Sequence, residues 1–153
     1  MTDDMAIEGM PSIKAVQALT AHLLKFPQID AQTTHLIHGG MYARTIFIPA
    51  GSVLTGATTN LNNICIVSGD ITVTTDKGMK RLIGYTLIPA NSGYKRAGFA
   101  HADTYWTTLF ATELTDVREI EDVITDDSDQ IQTRRQNITW AQSKQVEVSH
   151  GSN

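Results

Sequence analysis

The chain is predicted to be all-β: a single antiparallel β-barrel or jelly roll with short flanking helices. Three observations carry that prediction. Between about Thr33 and Thr112 the composition is dominated by Thr, Ile and Val, residues that suit a pleated, half-buried surface. Turn signals arrive about every 8 to 12 residues, the rhythm of sandwiches and barrels. They are Gly39-Gly40, Pro49-Ala50-Gly51, Ser68-Gly69-Asp70, Asp76-Lys77-Gly78 and Pro89-Ala90-Asn91-Ser92-Gly93. No helical stretch of usable length interrupts them, which argues against parallel βαβ units. Short, numerous strands close most readily into a barrel, because closure removes exposed edges.

Taken in order, residues 1–11 read as a flexible leader and 12–32 as a helix with its linker. Ser12 is placed to cap the helix by accepting a backbone N–H of the first turn. Ile13, Val16, Leu19, Leu23 and Leu24 then recur at helical spacing, Lys25 sits where the helix dipole favours a cation, and Phe26-Pro27 ends it. The helix is therefore expected over 12–25. Residues 33–125 form the barrel unit, with strands expected at 41–48, 63–68, 70–75, 79–83, 85–89, 94–100 and 104–112. Thr115 is expected to cap a second short helix carrying Val117, Ile120, Val123 and Ile124 on one face. A polar tail, 126–153, begins at Asp126-Asp127-Ser128-Asp129. Its scattered Ile131, Ile138, Trp140, Val146 and Val148 either form a final strand, lie on a partner subunit, or take no fixed structure.

Composition removes several function classes. Hydrophobic residues make up 41% and charged residues 18%, a globular balance. Lys and Arg number 12 against 16 Asp and Glu, a net charge of −4, so the clustered cations that nucleic-acid binding requires are missing. No apolar run reaches the roughly 18 residues that span a bilayer. Met1-Thr2-Asp3-Asp4 is acidic where a secretory signal would be basic. Cys65 is the single cysteine, which rules out an internal disulfide and fits a reducing cytoplasm.

From Pro49-Ala50-Gly51 onward the sequence resembles a cupin. The first cupin motif runs Gly, His-x-His, Glu, Gly. Here Gly51 is followed at the corresponding places by Ala57, Thr59, Asn63 and Gly69. The second motif runs Gly, Pro-x-Gly, His, and Gly84, Pro89, Asn91 and Tyr94 take roughly those places. The chain is most similar to small single-domain cupin-like proteins of phage and bacterial genomes. The stretches that carry this are Gly40-Met41-Tyr42-Ala43-Arg44, Ile48-Pro49-Ala50-Gly51, Leu54-Thr55-Gly56, Gly69-Asp70-Ile71-Thr72-Val73, Gly93-Tyr94-Lys95-Arg96 and His101 to Thr108. Together they cover about residues 33–124. The resemblance implies a barrel whose inward imidazoles and carboxylates hold a metal. This chain departs from it at those places: a methyl, a hydroxyl, an amide and a phenol replace the usual donors, and all are poor partners for a first-row transition metal.

The residues that remain point to ligand binding. Thr59, Asn62 and Asn63 form a neutral polar patch that suits a hydroxyl-rich ligand, or hydrogen-bond one another inside a filled barrel. In Tyr94-Lys95-Arg96, Arg96 is suited to grip a carboxylate or phosphate with two parallel bonds, Lys95 to add charge and Tyr94 to stack. Regular strand geometry turns 94 and 96 to one side and 95 to the other. The plain alternative is a solvated edge, or ion pairing with the acidic segment Glu119–Asp122. Tyr42 and Arg44 share a face, and an inward Arg44 needs Asp70, Asp103 or an anionic ligand as counter-charge. His101 and Asp103 are expected on one strand face as a general base and its orienting carboxylate, with Tyr105 as the acid. His35 and His38 fall on opposite faces of a strand, which argues against a metal site there. Trp106, Thr108 and Phe110 read as core, and Cys65 as a small buried hydrophobe.

The expected function is a metal-free, cofactor-free module that binds a small polar or anionic molecule. It is expected to act as a homodimer or higher homo-oligomer in the cytoplasm, without nucleic-acid or membrane partners. The resemblance implies a phage accessory role, such as sequestering a nucleotide or sugar-nucleotide signal. One alternative is a metal-independent sugar epimerase or isomerase using His101, Asp103 and Tyr105. Another is a structural, virion-associated oligomer with its barrel filled by side chains.

Overall fold

A computed structural model describes residues 13–28 and 31–131. The expected leader, the Ser12 cap and the tail beyond Ile131 lie outside the described residues. The elements are α1 (Ile13–Leu23), β1 (Thr33–His38), β2 (Met41–Ile48), β3 (Val53–Thr55), β4 (Asn63–Thr75), β5 (Gly78–Ala90), β6 (Ala97–Ala100), β7 (Thr104–Ala111) and α2 (Val117–Ile124). A single turn of 3-10 helix, Ser128–Gln130, follows. No described helix is long and apolar enough to cross a membrane.

All pairings are antiparallel, in one sheet of 7 strands ordered β1-β2-β7-β4-β6-β3, with β5 on β4. The sheet is curled into a half-barrel, as the turn spacing predicts. β4 organises it. Its first half, Ile64 to Ser68, pairs with β7, and its second half, Ile71 to Val73, pairs with β6. β5 follows β4 along its whole length, from Asn63↔Ala90 to Thr75↔Gly78.

The sequence breaks β4 at Ser68-Gly69-Asp70 and β5 at Gly84, but the structure carries each strand through. Gly69 and Gly84 are partners in register, both at positive φ, so the hairpin bends here without ending. Gly69 has a second role. A Cβ on it would lie 2.7 Å from the Thr104 Cα and 2.8 Å from the Asp103 carbonyl oxygen, so only glycine lets β4 run under the start of β7. The 101–103 loop is tied at the same point, with the His101 and Ala102 amides donating to the Asp70 carbonyl oxygen.

Other boundaries shift for local reasons. The expected strand 94–100 is regular only over Ala97–Ala100, because the Tyr94 carbonyl accepts from the Thr59 amide and is taken out of the ladder. β3 was not expected; it is short and pairs only with β6. Asp116, not Thr115, caps α2, its Oδ2 accepting from the Glu119 amide at 3.0 Å. On α2 the buried positions are Val117, Ile120, Glu121 and Ile124, an i, i+3, i+4, i+7 stripe, while Val123 is exposed.

Inward side chains make two apolar clusters. Ile48, Val67, Ile71, Val73, Leu82 and Ala100 fill one end of the half-barrel. Tyr42, Phe110, Ile120 and Ile124 seat α2 against β2 and β7 at the other. Helix α1 buries Val16 and reaches β3 through Thr20 Oγ1, which donates to Thr55 Oγ1 at 2.6 Å.

Candidate functional site

Between the two clusters the concave face encloses a cavity of about 160 Å³. β2 supplies Arg44, Ile46 and Ile48; β4 supplies Asn63, Cys65, Ile71 and Val73; β7 supplies Trp106, Thr108 and Phe110. These are alternate residues of strands paired in register, Arg44↔Thr108, Cys65↔Thr108 and Val67↔Trp106, so one pleat aims them all inward. Hydrogen bonds from the Asn60 amide to the Ile124 carbonyl and from Asn60 Nδ2 to Asp126 Oδ1 hold the segment after α2 across one end. Ile124, Thr125 and Ile131 line the cavity there.

A larger cavity of about 300 Å³ lies beside it, between α1 and the sheet. Arg44, Leu54 and Ala57 are shared by both.

Among the polar side chains of the first cavity, Arg96 and Tyr94 lie together. Arg96 lies over the Tyr94 ring, 4.5 Å from its centroid, and its Nη1 donates to the Thr74 carbonyl at 2.8 Å. The Tyr94 hydroxyl is buried beside Thr74 yet meets no partner in hydrogen-bonding geometry among the described residues. Burial pushes its pKa up, so it is a phenol and a potential donor. Asn63 donates from Nδ2 to the Leu61 carbonyl and accepts at Oδ1 from the Cys65 thiol. Burial raises the pKa of that thiol, which keeps it protonated and a poor nucleophile. Among the described residues, no Asp, Glu, Lys or His lines this cavity.

Tyr42 and Arg44 belong to a neighbouring buried cluster. The Tyr42 hydroxyl is 2.7 Å from His35 Nδ1, and its ring stacks between His35 and Phe110. Arg44 and the fully buried Glu121 both act electrostatically on the phenol. The counter-charges expected for Arg44 are engaged elsewhere: Asp70 grips Arg81 with two bonds of 2.7 and 2.8 Å, and Asp103 Oδ1 accepts from the Ala50 amide. Sequence reasoning missed Glu121. Its signal was present, since a carboxylate on the i, i+4 stripe with Val117 must be buried with α2.

The structure therefore brings Arg44, Thr59, Asn63, Tyr94 and Arg96 to one cavity. It places the other candidates elsewhere. Asn62 is exposed and accepts from the Ser92 amide, which fixes the 91–93 turn. Lys95 faces the second cavity, its Nζ donating to the Gly56 carbonyl at 2.6 Å, opposite Tyr94 and Arg96 as strand parity predicts. Tyr42 is core. His101, Asp103 and Tyr105 are all exposed and line neither cavity. His101 Nε2 meets Thr72 Oγ1 at 2.7 Å, Asp103 caps the 49–51 turn, and Tyr105 packs on Phe47. His101 and Asp103 precede β7 rather than sitting on a strand, because their loop is pinned to Asp70.

The four places that carry the cupin ligands in the motif, Ala57, Thr59, Asn63 and Tyr94, all face the first cavity. The fold is cupin-like. Sequence comparison finds no matching family model and no matching curated protein. Among solved structures, the chain is similar to KdgF from Halomonas sp., with TM-score 0.48, 17% identity, and coverage of 58% of this chain and 86% of that one. It is similar to the Cupin_2 domain of an XRE-family transcriptional regulator from Enterobacter cloacae, with TM-score 0.46, 9% identity, and coverage of 56% and 100%. For the Cnp3 cupin domain of Schizosaccharomyces pombe the TM-score is 0.44 at 18% identity, with coverage of 56% and 67%.

A cupin metal would need imidazole or carboxylate donors at these places. The chain offers a methyl, a hydroxyl, an engaged amide and a phenol, and the described residues contain no group of three His, Cys, Asp or Glu that could hold an ion. The donor set does not fit a first-row transition metal.

Proposed function

We propose that the protein is a cupin-like binding module that holds a small anionic molecule in its concave cavity without a metal. One observation carries this reading: the described lining includes the Arg96 guanidinium and no carboxylate. A guanidinium has five N–H donors in a fixed fork, and the Thr74 carbonyl takes one, so a carboxylate or phosphate can be met by two parallel bonds. The nucleotide version of this function is disfavoured by size, since about 160 Å³ is well below the roughly 300 Å³ at which drug-sized pockets begin. The epimerase reading is weakened because His101, Asp103 and Tyr105 line neither of the two cavities described. A solid interior, which a purely structural role would favour, is not what the concave face presents.

Thermal unfolding with small anions tests the proposal. A bound anion at a hundredfold excess over its Kd should add about 2.7 kcal/mol and raise Tm by several degrees. Neutral analogues should not. The same shift in Arg96→Gln, or no shift with any small anion, would overturn it.

The second partner is another copy of this chain, docked on the convex face of the sheet. That face carries Leu36, Ile64, Ile83, Tyr85, Leu87 and Tyr105, between 44% and 72% exposed. Monomers seldom leave such a patch open. Among the described residues the ion pair on this face, Asp70–Arg81, is internally neutralised, so it favours a self-complementary partner over a charged one. The face crosses β1, β2, β7, β4 and β5. At about 4.8 Å per strand it is roughly 20 Å wide, broader than one extended segment. One partner's share of a stable interface is about 800 Å². Light scattering should give a dimer for the full chain and a monomer for Tyr85→Asp/Leu87→Asp with an unchanged circular dichroism spectrum. A monomeric wild type, or a variant that still dimerises, would remove this interface.

A further inference from the structure

Resting on that reading of the cavity, we infer the class of its ligand: a monocarboxylate whose body is compact, apolar and about the size of a benzene ring. Arg96 lies over the Tyr94 ring and brings its guanidinium to the cavity lining. A carboxylate supplies two coplanar oxygens for the guanidinium fork.

The rest of the wall is of another kind. Ile46, Ile48, Leu54, Ile71, Val73 and Trp106 form a continuous part of it, apart from the polar Arg44, Thr59, Asn63, Thr108 and Thr125 that also line the cavity. Against that aliphatic part a hydroxyl-rich ligand would lose its water without replacement. An apolar body gains by leaving water, and Trp106 gives a ring a flat partner. Size narrows the class further. The volume of about 160 Å³ is close to the roughly 150 Å³ of an apolar cavity known to hold benzene. Acetate would leave most of the wall unmet, and a nucleotide would not enter. Charge and shape therefore select together: Arg96 holds the head, and β2, β4 and β7 hold the body.

Calorimetry on the full chain separates the two halves of the claim. Benzoate, cyclohexanecarboxylate and 3-methylbutanoate are titrated beside acetate, benzamide, inorganic phosphate and AMP. Benzoate or one of its two apolar companions should bind at least tenfold more tightly than acetate, which lacks the body, and than benzamide, which lacks the charge. Arg96→Gln should lose that tenfold preference over benzamide. Arg96→Lys, which keeps the charge without the fork, should fall between. Should Arg96→Gln unfold, Arg96→Lys serves in its place, and it should weaken benzoate severalfold without changing acetate's rank below it. If acetate or phosphate binds as well as benzoate and still depends on Arg96, the apolar-body class is wrong while the anion site stands. If no anion binds, or binding is indifferent to Arg96, the class and the anion site fail together.

Discussion

Gly69→Ala is expected to cost about 3 kcal/mol of stability and to lower Tm by roughly 10 °C. The added methyl would meet backbone on both sides, 2.7 Å from the Thr104 Cα and 2.8 Å from the Asp103 carbonyl oxygen. Neither can retreat. Thr104 is fully buried, its Oγ1 accepts from the Asp70 amide at 3.1 Å, and the amides of His101 and Ala102 hold the same loop to the Asp70 carbonyl. Gly84 is the control: it faces Gly69 in register at φ 82, but a Cβ there meets nothing within 4 Å. Gly84→Ala should therefore cost only the backbone strain of a left-handed residue, about 1 to 2 kcal/mol. Urea unfolding of the two variants decides the matter. Equal losses would mean that crowding against Thr104 is not what fixes glycine at 69.

Acidification should destabilise the fold through His35. This imidazole is 5% exposed, and burial, aided by the positive charge of Arg44, holds its pKa down at about 4. The Tyr42 phenol, kept protonated by its own burial, shares a 2.7 Å hydrogen bond with Nδ1 of the neutral ring. The sign follows from the shift. Between pH 6.5 and 4 the unfolded chain protonates His35 and the folded chain does not, so stability is complete above pH 6.5 and falls as the pH drops through that window. The slope is about 1.4 kcal/mol per pH unit, or about 2 kcal/mol between pH 7 and pH 5. In His35→Gln that share should vanish. Denaturation at both pH values measures the difference, and equal acid losses in variant and wild type would clear His35 of the role.

Much of the fold was legible because it is local. β-branched runs, turn residues and strand parity give the strands, and parity alone separates Lys95 from Tyr94 and Arg96. Boundaries failed where a long-range contact decides them. Gly69 and Gly84 look like turn residues until each is seen opposite the other. Asp116 displaces Thr115 as a cap for a reason only the α2 backbone shows. The candidate site was legible in part for the same reason. Ala57, Thr59, Asn63 and Tyr94 were named from their spacing, and all reach the cavity. His101 and Asp103 share a sequence parity but no strand, because the Asp70 carbonyl, some thirty residues earlier, captures their loop. Glu121 was hidden by its charge, which masked its place on a buried stripe.

The order of pairing also sets when a pocket can exist during synthesis. The β4–β5 hairpin closes over a two-residue turn and can form as soon as it leaves the ribosome, yet β2 must wait for β7, with Met41 finding Ala111 across most of the domain. Until that late zipper closes, Arg44 and Ile46 have no opposing Thr108 and Trp106, and one wall of the cavity is missing. Ligand uptake should thus lag hairpin formation and coincide with the last step of refolding, so that recognition reports on completed assembly of the chain.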